Sequence, residues 1–208
     1  MARCVEKYVP ATGPLRVVDV GSRIPKSARD AENVRTHRQL FERDGCEYVG
    51  VDLARGRNVD KVMRKPYRLP LPANSVDVVV SGQTFEHVPF VWVSMIEIAR
   101  VLRQGGHAFV TAPSRGHVHG GQDCWRFYPD GMRALAAWSG LELREASTDF
   151  PPPVGQTRQL DYSAVAPAEY WGDTVAVFQK GRRYPRVRMA AVRPVIRMWA
   201  NHVRGIDH

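Results

Sequence analysis

The chain has 208 residues, 44% of them hydrophobic and 25% charged, which excludes wholesale disorder and collagen-like or low-complexity architecture and leaves one domain of ordinary size with room for a tail. Thirty Lys and Arg against 21 Asp and Glu give a net charge of +9, a balance that favours anionic partners without choosing among nucleic acid, phospholipid surfaces and phosphorylated substrates. Cys4, Cys46 and Cys124 stand at no metal-ligand spacing, the N-terminus shows no apolar h-region, and Phe90 to Ile96 is too short an apolar run to span a bilayer, so a cytoplasmic protein is expected.

Apolar runs alternate with helix-like stretches, the pattern of an α/β fold with a parallel sheet. Leu15 to Val20 (LRVVDV) reads as a buried strand ended by Gly21 and Ser22. A polar helix is expected over Ala31 to Arg43 with Leu40 and Phe41 inward, then a strand over Glu47 to Asp52. The connector 53–75 has room for one short strand near Val59 to Met63. Ser75 to Ser81 (SVDVVVS) is a β-branched strand, and Trp92 to Leu102 has apolar residues at helical spacing. Gln104-Gly105-Gly106 is expected to stop that helix. His107 to Ala112 is a strand and Pro129 to Trp138 a helix. Leu141 to Thr148 and Thr174 to Lys180 are strands, joined by a Pro-rich loop and an aromatic segment with Tyr162, Tyr170 and Trp171. Residues 181–208 differ from the rest, with seven Arg and no acid before Asp207. The chain thus divides into a domain at 1–180 and a basic tail or helix at 181–208.

Asp19-Val20-Gly21 sits at the C-terminal end of the first strand, the edge where open α/β sheets bind ligands, and Gly21 lets a ligand approach the backbone. Asp52 ends the second strand, where an acid can accept hydrogen bonds from both ribose hydroxyls. Positions 21–26 read GSRIPK rather than GxGxxG, which disfavours a nicotinamide or flavin enzyme.

The ordered set VVDVGSR, YVGVDL, LPLPANSVDVVVS, FEHV and EIARVLRQGGHAFVTAPS resembles the class I S-adenosylmethionine-dependent methyltransferases from about Leu15 to Lys180. SGQTFEHVPFVW followed by APSRGHVHGGQDCWRFYPDG resembles, more narrowly, small bacterial sugar O-methyltransferases such as the mycobacterial methylmannose polysaccharide type. The resemblance implies a Rossmann-like seven-stranded sheet in the order 3-2-1-4-5-7-6, strand 7 antiparallel, with helices on both faces. It implies S-adenosylmethionine as cofactor. Asp19, Gly21 and Ser22 would form the loop beneath its methionine part, Asp52 would take the ribose, and Leu53 and Leu69 would line the adenine side. Ser81, Gly82 and Gln83 would line the cofactor and substrate mouth. The sequence departs from the family at Arg23, where a third loop glycine is usual, and at Arg64-Lys65-Pro66-Tyr67, where an acid near the adenine is usual.

Methyl transfer to a sugar hydroxyl needs an aligned acceptor and a positioned base, a metal, or both. His87 follows the fourth strand, and His117, His119 and Asp123 follow the fifth, so two loops bring ionisable groups to one mouth. His119 assisted by Asp123 is expected as the base, with His87 orienting the sugar or sharing that role. Glu86 could equally cap a helix, and His87 could be a satisfied, partly buried histidine. Trp125 and Arg126 could stack on and hydrogen-bond to a sugar, with Tyr162, Tyr170 and Trp171 covering it; the alternative is plain packing. Glu86 with Asp123 would suit Mg²⁺, His117 and His119 with Asp123 would suit Zn²⁺ or Mn²⁺, and nothing in the spacing demands a metal. The candidate ligands are therefore Glu86, His119 and Asp123.

The tail reads as an amphipathic basic helix broken by Pro194, able to lie on an anionic membrane, to pack on a second subunit in a homodimer, or to remain a solvated end. The competing substrates are a quinone or other small metabolite and, on charge alone, a nucleic acid. Against the last, the position after the fourth strand reads SGQT where amino-methylating enzymes of bases usually carry an Asn/Asp-Pro-Pro-aromatic motif.

Overall fold

The computed structural model describes residues 1–25, 34–148 and 171–202. Among them seven strands, β1 (Leu15–Val20), β2 (Cys46–Asp52), β3 (Lys61–Val62), β4 (Val76–Gly82), β5 (Leu102–Arg115), β6 (Glu142–Thr148) and β7 (Gly172–Gln179), form one sheet in the order β3-β2-β1-β4-β5-β7-β6. The first five run parallel, and β7 lies antiparallel between β5 and β6. This is the order and handedness of pairing that the resemblance implies.

β-Branched runs build the centre because central parallel strands are covered on both faces and must be apolar throughout. Val76, Val78, Val79 and Val80 of β4 are at most 2% exposed. One face packs on α2 (Val91–Val101), α3 (Pro129–Ser139) and α4 (Arg186–His202), through Val18, Val79, Met95, Ile98, Met132 and Met189. The other face packs Val17, Val80, Phe109 and Val177 against Phe41 and α1 (Ala2–Tyr8). The sequence reading contained no helix at α1, whose Cys4 and Val5 are too few to show a helical period.

Several boundaries differ from expectation for local reasons. The helix anticipated over Ala31 to Arg43 is a 3₁₀ turn at His37–Phe41, and residues 26–33 lie outside the described residues. Phe41 is buried as expected, whereas Leu40 points outward at 38% exposure, because the tighter turn inserts a single side chain into the core. Gln104-Gly105-Gly106 does not stop α2. The helix ends at Val101, Leu102 turns to extended backbone, and the glycines lie within β5. Gly105 adopts φ +83° and a Cβ on Gly106 would meet the Asp77 carbonyl at 2.8 Å, so glycine lets the strand pass there at close quarters.

The C-terminal segment is a helix that continues through Pro194 rather than breaking there. Packing on both sides of the proline holds it: Met189 and Ala200 are buried, and Trp199 meets Phe90 with ring centroids 5.5 Å apart. Its opposite side exposes Val187, Val195 and Met198. Among the described residues no helix is long and apolar enough to cross a membrane.

A buried ion pair braces the connector that leads into β4. The Arg100 guanidinium donates to both Glu97 carboxylate oxygens, at 2.9 and 2.6 Å, and to the carbonyls of Leu71 and Leu69. Leu69 returns a backbone N–H to Glu97 at 3.0 Å. Leu69, expected beside the adenine, is 4% exposed and belongs to the core at this brace.

Candidate active site

The C-terminal ends of β1, β2, β4 and β5 gather the residues singled out from the sequence. At the end of β1, Gly21 has φ +78°, and a Cβ there would lie 2.2 Å from the Thr84 hydroxyl oxygen. Glycine is therefore required twice, by backbone conformation and by the closeness of the loop after β4. Asp19 is 2% exposed and accepts from the Tyr48 hydroxyl at 2.5 Å, with His37 Nδ1 at 3.3 Å. Burial, and the neighbouring Asp19 carboxylate, push the Tyr48 hydroxyl well above its ordinary pKa, so it stays a donor. The buried Ser22 hydroxyl has no hydrogen-bond partner among the described residues.

Asp52 accepts the backbone N–H of Arg23 at 3.2 Å and of Ala54 at 3.1 Å. Arg23, the departure from the usual third glycine, lays its Nε 3.6 Å from the same carboxylate. A carboxylate offers about four acceptor sites, so these contacts leave Asp52 capacity for ribose hydroxyls. Leu53 is 47% exposed at this edge.

Near the end of β4, Ser81 is fully buried, and its hydroxyl donates to the Val20 carbonyl at 2.8 Å and ties β4 to β1. A Cβ on Gly82 would meet the His37 ring at 2.6 Å. Gln83 takes φ +51° and donates its amide to Asp173 at 3.0 Å. His37 and Tyr48 were not singled out from the sequence; one lay in a stretch read as a polar helix, the other inside a strand, and only the fold sets both on Asp19.

The second half of the mouth is built by the 3₁₀ turn Phe85–His87 and the loop between β5 and α3. His119 is held by Asp123, whose Oδ2 lies 2.9 Å from both the His119 backbone nitrogen and its Nδ1. Arg126 grips the same carboxylate at 2.5 and 2.8 Å and also donates to the Gly116 and His117 carbonyls. The Arg126 hydrogen bonds hold the Asp123 carboxyl far below the usual carboxylate range despite burial, so it remains an acceptor at any working pH. Arg126, expected to reach a sugar, thus clamps its own loop.

His87 sets its Nδ1 2.5 Å from the Gln122 carbonyl, and its ring meets that of His119 edge-on at 4.8 Å. Glu86 is 0% exposed, and neither carboxylate oxygen has a hydrogen-bond partner among the described residues. Its Oε1 lies 3.6 Å from His87 Nε2 and 3.8 Å from His119 Nε2. Burial raises the Glu86 pKa against the opposing pull of its own backbone N–H, His87 and Arg126. The metal-ligand geometry differs from the expected set. Glu86, His87 and His119 converge within 4.8 Å of one another, whereas Asp123 is taken by Arg126 and His119. Among the described residues no group of three or more such ligands includes Asp123 or His117.

Trp171 stacks edge-on against His119 at 5.0 Å and His117 at 5.8 Å and covers Gly116. Trp125, 38% exposed, donates its indole N–H to the Val88 carbonyl at 3.0 Å. Tyr162 and Tyr170 lie outside the described residues.

Residues 33–110 match a family described as a methyltransferase domain. No curated protein matches the chain in sequence. Among solved structures, the [4+2]-cyclase SpnF superposes with a TM-score of 0.59 at 16% identity, covering 86% of this chain and 79% of that one. A SAM-dependent methyltransferase from Aquifex aeolicus superposes with a TM-score of 0.53 at 14% identity, covering 85% of this chain and 88% of that one. Phosphoethanolamine N-methyltransferase 2 of Haemonchus contortus, bound to phosphomonomethylethanolamine and S-adenosylhomocysteine, gives a TM-score of 0.55 at 14% identity, covering 86% of this chain and 51% of that one. The architecture is the Rossmann-like methyltransferase fold. The family match over residues 33–110 fits this architecture. A cyclase on the same fold is a reminder that the chemistry is decided by the site.

Proposed function

We propose that the protein is an S-adenosylmethionine-dependent O-methyltransferase acting on a hydroxyl of a saccharide or glycoconjugate, a mannoside being the first candidate. The observation that carries this reading is the His119–Asp123 pair, a histidine held by a buried carboxylate at the sheet edge where this fold places ligands, with Trp171 against its ring. A poor nucleophile such as a sugar hydroxyl requires such a base, whereas many amine acceptors do not.

The bound cofactor supplies a methyl group on a sulfonium. Gly21 and Ser22 stand at the strand end beside which it would lie, and the Ser22 hydroxyl has no hydrogen-bond partner among the described residues. Asp52 accepts from the ribose hydroxyls. Asp123 keeps the proton of His119 on Nδ1, so that Nε2 presents a lone pair that would take the acceptor proton as the hydroxyl oxygen bonds to the methyl carbon, the methyl–sulfur bond breaks and S-adenosylhomocysteine leaves. His87 orients the acceptor, and Trp125 and Trp171 offer aromatic surface for a sugar ring. The exposed Arg and apolar residues of α4 suit an anionic lipid surface or a second copy of the chain, a contact that vesicle sedimentation at low salt and sizing would detect.

The test is a panel of labelled S-adenosylmethionine reactions with mannosides, glucosides, quinones and RNA. Label on a mannoside or another saccharide is the expected result. Label on quinones alone would move the reading to small-metabolite O-methylation, and label on RNA alone would overturn it.

A further inference from the structure

We propose that Glu86, His87 and His119 bind a divalent transition-metal ion of the Zn²⁺ or Mn²⁺ class, with Asp123 and the Gln122 carbonyl acting behind the two histidines. The argument begins with the protons. Each imidazole Nδ1 faces an acceptor that has no hydrogen to give: the Gln122 carbonyl oxygen at 2.5 Å for His87 and the Asp123 carboxylate at 2.9 Å for His119. Both Nδ1 atoms therefore carry the proton in the neutral rings, and both Nε2 atoms present lone pairs.

Those lone pairs point to one place. The two Nε2 atoms lie 3.6 and 3.8 Å from the same Glu86 oxygen, too far for hydrogen bonds and close to the spacing that a shared ion needs. Ligands about 2.0–2.2 Å from a tetrahedral centre stand roughly 3.3–3.6 Å apart, close to the two Glu86–histidine distances, and all three ligand atoms lie within 4.8 Å of one another. Glu86 supplies the independent sign of a missing ligand. It is wholly buried, and neither oxygen has a hydrogen-bond partner among the described residues. Burying a carboxylate without a partner is costly, and the remedies are a proton or a cation.

The donor set selects the ion. Two imidazole nitrogens and one carboxylate favour Zn²⁺, Mn²⁺, Fe²⁺ or Co²⁺, whereas Mg²⁺ prefers oxygen ligands and its own water. Histidine ligands backed by a carboxylate or a carbonyl through the opposite ring nitrogen are the usual supporting arrangement. The His87 and His119 side chains are 33% and 30% exposed, so solvent reaches the open side of the site while Glu86 closes its floor. An ion on His119 Nε2 occupies the lone pair that serves as base in the ion-free protein, so the two roles exclude one another in a given molecule, and the site is tested by binding rather than by turnover.

The experiment uses the full chain dialysed against a chelator and then titrated with ZnCl₂ and with CoCl₂. The expected result is one ion per chain by calorimetry and visible Co²⁺ absorption bands of a low-coordinate nitrogen–oxygen site, with equimolar Mg²⁺ failing to compete. Glu86→Gln and the pair His87→Ala, His119→Ala should each weaken binding at least about 100-fold, and Asp123→Asn by about 10–100-fold. The isosteric Glu86→Gln keeps the test valid if the double alanine variant fails to fold. No binding, or stoichiometric binding unchanged in Glu86→Gln, would overturn the site. Either result would leave the methyltransferase reading untouched, and inactivity in the substrate panel would leave the ion site untouched.

Discussion

Asp123 holds His119 twice through one oxygen: its Oδ2 is 2.9 Å from the His119 backbone nitrogen and 2.9 Å from the ring Nδ1. The loop conformation and the histidine tautomer are thereby set by a single buried carboxylate, itself anchored by Arg126.

His119→Ala is expected to lower turnover on the accepted sugar by about 10²–10⁴-fold while cofactor affinity stays unchanged. Asp123→Asn should lower turnover as well and, by leaving Arg126 without its ion pair, cost about 3–5 kcal/mol of stability. Single-turnover rates, calorimetric cofactor binding and urea midpoints separate the three quantities. Normal turnover in both variants would remove the base from this site.

Asp52→Ala should weaken binding of S-adenosylhomocysteine by about 1.5–3 kcal/mol, the value of a hydrogen bond to a charged group. The backbone N–H groups of Arg23 and Ala54 lose their acceptor too, so the loop after β1 should open in hydrogen exchange. Unchanged affinity by calorimetry would show that the ribose lies elsewhere.

Gly21→Ala places a methyl group at φ +78° and 2.2 Å from the Thr84 hydroxyl. The left-handed conformation alone costs about 1–2 kcal/mol for an L-residue, and the collision adds to it. The urea midpoint should fall. Adding Thr84→Ala should recover only part of the loss, because the Thr84 Cβ, at 2.8 Å, remains.

Lys180 is buried at 2% exposure and donates to Asn74 and to the carbonyls of Ala99 and Leu102 at 2.7–2.8 Å. Burial, with Arg193, Arg186 and Arg100 nearby, still brings its pKa from 10.5 down to about 8. The unfolded chain therefore holds this proton over a pH range in which the folded chain has released it. Stability should rise as pH climbs from about 8 to 10.5, with no such contribution below that window. Urea midpoints across this range, compared with Lys180→Met, should show the rise in the parent and its loss in the variant.

β1 and β4 were legible in the sequence because each is a valine-rich run, and the run Leu15–Val20 needs no tertiary information to be found. The placement of Gly21 and Asp52 at strand ends was legible too. The ends of α2 and the course of α4 were not. Gly105 and Gly106 signal a stop locally, yet they serve a strand in close contact with Asp77, and Pro194 is carried by packing that no local rule contains. The site divides in the same way. The sequence by itself determined which ionisable residues stand on the two loops after β4 and β5. Only the tertiary structure decided their partners: Asp123 went to Arg126 and His119, the Glu86 carboxylate has no hydrogen-bond partner among the described residues, and His87 and His119 each place Nε2 within 3.8 Å of it. The reason is physical. Spacing along a chain assigns a residue to a loop, but hydrogen-bond partnership depends on distances of a few tenths of an ångström that the packed loops alone impose.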